Sequence, residues 1–281
     1  MKCMKRFRKV YLEISNVCNL RCSFCPGTRR TPHFMTADEF DVLTGKLRDY
    51  TDYLYFHLMG EPLLHPELEA FLEMAHVKGF KVILTTNGTL LERKGESLSA
   101  SPALHKINIS LQSFEANPGE KLENYISMCA DFAQKASEKG KICVLRLWNR
   151  NGLDSLNPEI KRLIEDFFPK PWKESRQSLR LKEKVWLEPG EKFDWPDIEA
   201  AGGNGGLFCY GLRDQIGVLC DGTVVPCCLD HDGDIPLGNL FEKDLQDILE
   251  SERALRIFNG FSGRKAVEKL CKTCGYATRF S

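Results

Sequence analysis

The 281-residue chain lacks several features that would place it in a special class of protein. It has no apolar run of about 18 residues or more, so we expect no membrane-spanning segment. Its formal net charge is zero, with 39 basic and 39 acidic residues and no long basic stripe, which argues against a nucleic-acid partner. Residues 1–9 are basic but lack the apolar stretch of a secretory signal. We therefore expect a globular, cytoplasmic protein.

The cysteine content is too low for a scaffold held together by disulfide bonds. Disulfide-rich domains are short chains that are dense in cysteine, whereas this chain has 12 cysteines in 281 residues. Seven of them fall into short motifs that are typical of metal sites. The composition therefore predicts metal binding in a reducing compartment that is poor in oxygen.

The first motif is formed by Cys18, Cys22 and Cys25, with the spacing C-x3-C-x2-C, directly after an apolar segment at residues 9–15. Three thiolates on one short loop can hold three irons of a [4Fe–4S] cluster and leave the fourth iron open to a reactant. A structural zinc loop is the alternative. Zinc loops favour pairs of cysteines matched to a second pair, and no fourth ligand is near this motif in the sequence.

The first 150 residues alternate between strand and helix patterns, which predicts βαβ units around a parallel sheet. We predict strands at residues 9–15, 53–59, 81–86, 107–111 and 142–148, and a sixth strand between residues 179 and 187. We predict helices at residues 36–50, 66–78, 90–98, 119–139 and 158–168. Thr36 and Glu39 form the capping box that starts the first helix.

Strand alternation predicts which side chains face the interior of the sheet. We expect Leu54, Phe56 and Leu58 to face the helices. The inward positions are mostly polar: Glu13, Tyr53, Tyr55, His57, Thr85, Asn87, Asn108, Ser110, Gln112, Val144, Arg146 and Trp148. Burying so many unpaired polar groups would be costly, so this interior is predicted to be a wet cavity that holds ligands.

The cysteine motif, Phe24 before its third cysteine, and the turn Met59-Gly60-Glu61-Pro62 at the end of the second strand together resemble the radical SAM superfamily. The resemblance implies an α/β fold, a partial (β/α)6 TIM-like barrel, in which the open iron binds S-adenosylmethionine (SAM). Met59 replaces the first glycine of the family's turn. The implied cofactor-binding residues are Phe24, Gly60, Glu61, Pro62, Thr85, Asn87, Ser110, Gln112 and Arg146.

The C-terminal segment carries a second set of cysteines: Cys209, Cys227, Cys271 and Cys274. The Asp221-Gly222 pair between apolar runs predicts a hairpin that brings Cys209 near Cys227, and the C-x2-C pair can close a four-thiolate site. The order C-x12-G-x4-C followed by C-x2-C resembles the SPASM/Twitch extensions of radical SAM enzymes. Only residues 275–281 follow the last pair, so the resemblance implies the shorter Twitch (half-SPASM) type with one auxiliary [4Fe–4S] cluster. A zinc ribbon remains the alternative.

The resemblance implies two domains, a barrel at residues 1–198 and an auxiliary-cluster domain at residues 199–281. It also implies two [4Fe–4S] clusters, SAM, and reduced flavodoxin or ferredoxin as electron donor. The implied reaction is hydrogen abstraction by a 5′-deoxyadenosyl radical, with net two-electron oxidation of a small alcohol or sugar, or of a peptide. Little chain precedes the first strand, which favours a small or short substrate over one that needs a leader-binding domain. A glycyl-radical activating enzyme and a non-enzymatic metal-binding module are the alternatives.

Overall fold

The computed structural model describes residues 7–117, 119–201, 203, 205–206 and 208–280. The described strands are β1 (Lys9–Leu12), β2 (Tyr53–Tyr55), β3 (Lys81–Thr86), β4 (Leu104–Ser110), β5 (Ile142–Arg150), β6 (Lys173–Ser175), β7 (Ser178–Lys182), β8 (Val185–Glu191), β9 (Gln215–Val218), β10 (Thr223–Val225) and β11 (Gly238–Asn239). The α-helices are α1 (Ala37–Leu47), α2 (Leu68–Val77), α3 (Leu91–Ala100), α4 (Leu122–Glu138), α5 (Asn157–Phe167), α6 (Leu245–Leu249), α7 (Glu252–Ser262) and α8 (Lys269–Lys272). Short 3₁₀ helices span Pro62–Leu64, Leu111–Ala116 and Gly275–Phe280.

All eleven strands belong to one sheet, with the order β11-β10-β9-β1-β2-β3-β4-β5-β8-β7-β6. The central strands β1, β2, β3, β4, β5 and β8 pair in parallel, and helices connect β1 through β5. The predicted α/β partial barrel with six parallel strands is confirmed. Because the carboxyl ends of these strands meet at one edge, the loops that follow β1 to β5 share that edge.

The helices pack on the outer face of the sheet through the apolar positions that alternation predicts. Leu54 and Phe56 of the second strand region are buried in the main core. Leu58 is an exception, because it packs with Tyr11 and Val225 in a separate interior cluster. Our prediction for Leu58 was wrong because β2 ends at Tyr55, and alternation does not continue beyond the end of a strand.

Several other boundaries differ from the sequence prediction, and two of them affect the site. The sixth parallel strand is Val185–Glu191, whereas Ser178–Lys182 forms an antiparallel ribbon with it. The strand β4 ends at Ser110, so Gln112 lies in the 3₁₀ helix that follows rather than on the strand. The capping box is confirmed: Glu39 N–H donates to Thr36 Oγ1, and Thr36 N–H donates to Glu39 Oε2.

The C-terminal segment continues the same sheet. The strand β9 pairs in parallel with β1, and β10 folds back on β9 as the predicted hairpin. The two predicted domains therefore share one sheet, and the boundary at residues 198 and 199 stays a prediction. No helix in the described ranges has the length and apolarity needed to cross a bilayer.

Candidate functional site

The cysteine loop connects β1 to α1 at the carboxyl edge of the sheet. All three thiols are free; Cys18 and Cys25 are exposed and Cys22 is half-buried. Two N–H groups point at the sulfur of Cys18: Leu20 N–H at 3.5 Å and Asn87 Nδ2 at 3.9 Å. Such donors stabilise thiolate ligands of an iron–sulfur cluster. The loop therefore fits a cluster held by three cysteines, with one side open to the lumen.

Side chains from distant segments hold the rest of this loop. Glu115 accepts from both the backbone N–H and the hydroxyl of Ser23, each at 2.7 Å. Trp195 Nε1 donates to the carbonyl of Phe24 at 3.0 Å. Phe24, which we predicted as a cofactor contact, is thus fixed through its backbone by the segment that follows β8.

A buried ion pair anchors the end of the loop to the C-terminal segment. Arg30 meets Glu13 through two contacts of 2.6 and 2.7 Å, and the Glu13 side chain is fully buried. Arg30 Nε also donates to the His231 carbonyl at 2.9 Å. Asp232 accepts from the Thr28 hydroxyl at 2.6 Å. Glu13 was predicted to face inward, and its carboxylate is paired with Arg30 of this loop.

The Gly60-Glu61-Pro62 turn packs directly against the start of the cysteine loop. Glu61 N–H donates to the Val17 carbonyl at 2.8 Å. Gly60 has a φ of +77°, and a side chain there would collide with the Ser15 carbonyl oxygen. Only glycine fits this position without strain. The turn is therefore fixed against the start of the cysteine loop, and that it forms a backbone cradle for the amino acid part of SAM stays a prediction.

The Glu61 carboxylate is occupied by protein donors. It accepts from Leu63 N–H at 3.0 Å, from the Thr86 hydroxyl at 2.7 Å and from Asn87 N–H at 2.7 Å. Burial raises the pKa of Glu61 to about 7. Its side chain thus joins the turn to the end of β3, which leaves the turn's backbone as the surface that faces a ligand. A direct contact of Glu61 with SAM stays a prediction.

The lumen contains buried polar atoms that lack a hydrogen-bond partner among the described residues. They are His57 Nδ1, Asn108 Oδ1, Gln112 Oε1 and Arg146 Nε. Four unpaired atoms in one cavity would cost several kcal/mol unless a ligand or water pairs with them, at roughly 1–3 kcal/mol each. Thr85 accepts from Asn108 Nδ2 at 3.1 Å, whereas Ser110 is half-buried at the end of β4. These residues were predicted to face inward, and that they line a ligand cavity stays a prediction.

The second set of thiols lines a separate cavity. Cys209, Cys227, Cys271 and Cys274 line one cavity that is partly open to solvent. The other lining residues are mostly apolar: Pro196, Gly211, Pro226, Leu229, Asp230, Ile235, Phe261, Leu270 and Ala277. Gly211 N–H points at the Cys209 sulfur at 3.4 Å. The hairpin and the C-x2-C pair are thus brought together as the sequence predicted.

The thiols of this cavity are suited to a cationic group. Burial, together with the neighbouring thiols, raises the pKa of Cys227 and of Cys271, so a positive centre is needed to hold them as thiolates. In the described ranges, no three Cys, His, Asp or Glu side chains converge closely enough to hold a single metal ion. A zinc ribbon needs four sulfurs about 2.3 Å from one point. Four thiols that line one cavity can hold a four-iron cluster, and a zinc ribbon stays the alternative on geometry alone.

Several residues of the site carry no signal in the sequence. The cysteine loop is held by contacts between residues that are distant in sequence, made by Arg30, Glu115 and Trp195. No local sequence pattern identifies these three residues. Glu188 could have been found by alternation if β8 had been placed correctly, because it pairs with Arg146 across the parallel strands.

Two family models match the chain. The model of the radical SAM superfamily matches residues 12–148, and the model of an iron–sulfur cluster-binding domain, SPASM, matches residues 209–275. The GTP 3′,8-cyclase of Tolumonas auensis is 26% identical over 93% of this chain and 88% of that protein. The GTP 3′,8-cyclase of Microcystis aeruginosa is 35% identical, but the match covers only 40% of this chain and 37% of that protein.

Solved structures share the fold. The crystal structure of BtrN in complex with AdoMet and 2-DOIA has a TM-score of 0.65 at 19% identity, covering 96% of this chain and 94% of that one. Streptococcus suis SuiB bound to S-adenosylmethionine has a TM-score of 0.63 at 17% identity, covering 96% of this chain and 71% of that one. The chain belongs to the radical SAM superfamily as an enzyme with a C-terminal SPASM-type domain, and its cofactors are SAM and [4Fe–4S] clusters.

Proposed function

We propose that this enzyme reductively cleaves SAM and oxidises a substrate held in the lumen by two electrons, after abstraction of one hydrogen atom. The observation that carries the proposal is the presence of two thiol sets with different surroundings: three exposed or half-exposed thiols beside the lumen, and four thiols around a mostly apolar cavity. When bound, the clusters and SAM supply the redox chemistry, namely the 5′-deoxyadenosyl radical and an acceptor for the substrate's second electron.

The chain's own residues position the reactants. Cys18, Cys22 and Cys25 would hold the first cluster, and the Gly60 backbone cradle beside them would hold the amino acid part of SAM. The unpaired atoms of His57 and Asn108 would orient a polar substrate below it. Fixed donors and acceptors of this kind raise rates by holding reactants in a near-attack geometry and by excluding bulk water.

The auxiliary site is proposed to accept an electron rather than to bind substrate. If Cys209, Cys227, Cys271 and Cys274 all ligate iron, no iron has a free position for a substrate atom. The mostly apolar lining of their cavity also offers few groups that could orient a polar molecule. One auxiliary cluster is therefore proposed, and reduced flavodoxin or ferredoxin is proposed as the donor to the first cluster.

The substrate of this reaction is proposed to be a small alcohol or sugar, or a peptide side chain. The solved structures with this fold include one complex with 2-DOIA and one with a precursor peptide, SuiA, so the fold accommodates both kinds of molecule. The polar groups that line the lumen favour a polar substrate in either case.

The first test is SAM cleavage by the anaerobically reconstituted protein with dithionite. We expect 5′-deoxyadenosine and methionine as products, and we expect the alanine variant of Cys18, Cys22 and Cys25 to form neither. Cys143→Ala is the matched control, because Cys143 is buried in the core away from both sites. A wild-type protein that binds only zinc, or that forms only methylthioadenosine, would overturn the proposal.

The second test separates the two thiol sets. Wild-type protein should contain about 8 iron atoms, and Cys271→Ala/Cys274→Ala about 4, since each [4Fe–4S] cluster has four irons. The double variant should still form 5′-deoxyadenosine, because the first site is intact, but it should not complete substrate oxidation. Circular dichroism must first show that the variant is folded, because metal binding contributes folding energy. Normal turnover by a folded variant would assign the auxiliary site a structural role.

A further inference from the structure

The guanidinium of Arg146 is a charged group of the lumen that is incompletely paired. Its side chain is 17% exposed, and its Nε atom is buried without a hydrogen-bond partner among the described residues. The nearest carboxylate oxygen, on Glu188, is 3.7 Å from Nε, which is longer than a hydrogen bond. That oxygen already accepts from Trp148 Nε1 at 2.9 Å. A buried cation with unpaired hydrogen-bond donors destabilises the folded protein unless a ligand supplies acceptors for those donors.

The surroundings hold this guanidinium in a fixed place. Arg146 stacks on the Trp148 ring, with its central carbon 4.4 Å from the ring centroid. The indole lies against Gly190 of β8, where a Cβ atom would come within 2.7 Å of it. Glycine at this position therefore makes room for the stacked pair. A planar, stacked guanidinium with free donors is suited to the two oxygens of a carboxylate or a phosphate.

The charge near Arg146 is not balanced by the lumen itself. Lys106 also faces inward from β4, and burial together with Arg146 lowers the pKa of its ammonium. Burial, together with the charges of Arg146, Lys9 and Lys106, lowers the pKa of His57 to about 3. Glu188 is the carboxylate that faces them, since Glu13 is paired with Arg30 and Glu61 accepts from backbone and hydroxyl donors. An anion bound here would offset the excess positive charge.

Arg146 also lies on the substrate side of the lumen. Its main electrostatic partners among acidic and phenolic groups are Glu188, Tyr11, Tyr276 and Tyr55, none of which belongs to the cysteine loop or to the Gly60-Glu61-Pro62 turn. Tyr276 comes from the 3₁₀ helix that follows the last cysteine pair. This part of the lumen thus lies toward the auxiliary segment, where a substrate would sit between the two thiol sets.

We propose that Arg146 binds an oxyanion of the substrate, a carboxylate or a phosphate, and so restricts the enzyme to anionic substrates. This inference rests on the proposed function, because it assumes that the lumen is the substrate site. It predicts that the oxyanion lies against Arg146 and Lys106, with the neutral part of the substrate extending toward SAM.

The test titrates the reconstituted enzyme with inorganic phosphate and, separately, with malonate, at constant ionic strength set with chloride, and follows the melting temperature. Wild type should show saturable stabilisation with half-saturation near about 1–10 mM, which is the affinity expected for a few charge-assisted hydrogen bonds. Arg146→Gln should weaken this binding at least about tenfold, and Arg146→Lys should lose less because the charge remains. Arg162→Gln is the control, because Arg162 is exposed on α5.

A second arm distinguishes the substrate oxyanion from the carboxylate of SAM. SAM affinity, measured by anaerobic calorimetry, should change less than about threefold in Arg146→Gln. A loss of SAM affinity of about tenfold or more would assign Arg146 to the cofactor and overturn the inference, while the proposed function would stand. Phosphate and malonate that fail to saturate wild type, or that bind Arg146→Gln equally well, would also overturn it. A wild type that binds these anions but cannot cleave SAM would refute the proposed function instead.

Discussion

Removal of Arg30 should both destabilise the protein and loosen the first cysteine loop. Glu13 is fully buried, and among the described residues its carboxylate would keep as donors the backbone N–H groups of Met59 and Cys220, at 3.2 and 3.1 Å, and the Cys220 thiol. Breaking a buried pair by removing one partner costs about 3–5 kcal/mol, because the other charge stays buried. For Arg30→Met we therefore expect a melting temperature that is about 6–20 °C lower, at roughly 2–4 °C per kcal/mol.

The assay combines the melting temperature with iron content after anaerobic reconstitution. Because Arg30 also fixes the loop to the His231 carbonyl, we expect Arg30→Met to retain fewer than about 8 irons, with the loss at the first site. Arg162→Met, in an exposed pair, should melt like wild type. The double variant Glu13→Gln/Arg30→Met removes both charges and should recover part of the lost melting temperature. It therefore keeps the test valid if the single variant does not fold. A single variant that melts within about 2 °C of wild type and keeps all its iron would refute the reasoning.

Two further predictions concern the lumen and the turn. Burial lowers the pKa of His57 from 6.5 to about 3. As the pH falls below 6.5, the unfolded chain therefore binds a proton at His57 that the folded protein does not bind. This difference lowers the free energy of unfolding by about 2 kcal/mol at pH 5. The melting temperature of His57→Gln should thus fall less between pH 7 and pH 5 than that of wild type or of the surface control His76→Gln; equal pH dependence would contradict this. Gly60→Ala should weaken SAM binding at least about tenfold in calorimetry, because the strained turn costs about 1–3 kcal/mol, whereas Gly119→Ala, with open space around it, should bind SAM normally. An unchanged affinity in Gly60→Ala would show that the turn does not hold the cofactor.

Local patterns in the sequence were sufficient for the βα order and for the identity of the thiols. The spacing of Cys18, Cys22 and Cys25 is a property of one loop, and the Asp221-Gly222 hairpin and the Thr36 capping box each depend on neighbouring residues. Such signals can be recognised in the sequence because turn geometry and side-chain periodicity depend on only a few neighbouring residues. Alternation also placed Arg146 and Asn108 in the lumen, as long as the strands continued.

The tertiary structure alone decided how these parts are joined. Glu13 pairs with Arg30 and also accepts a hydrogen bond from the N–H of Cys220, about 200 residues away. The carboxylate of Glu61 accepts hydrogen bonds at the end of β3. Leu58 lies inside because β2 ends early. Each of these depends on the register and length of strands that are far apart in sequence, and no local energy term sets that register. The sequence therefore determined which chemical groups the enzyme has, and packing between distant strands determined which of them remain free to bind a ligand.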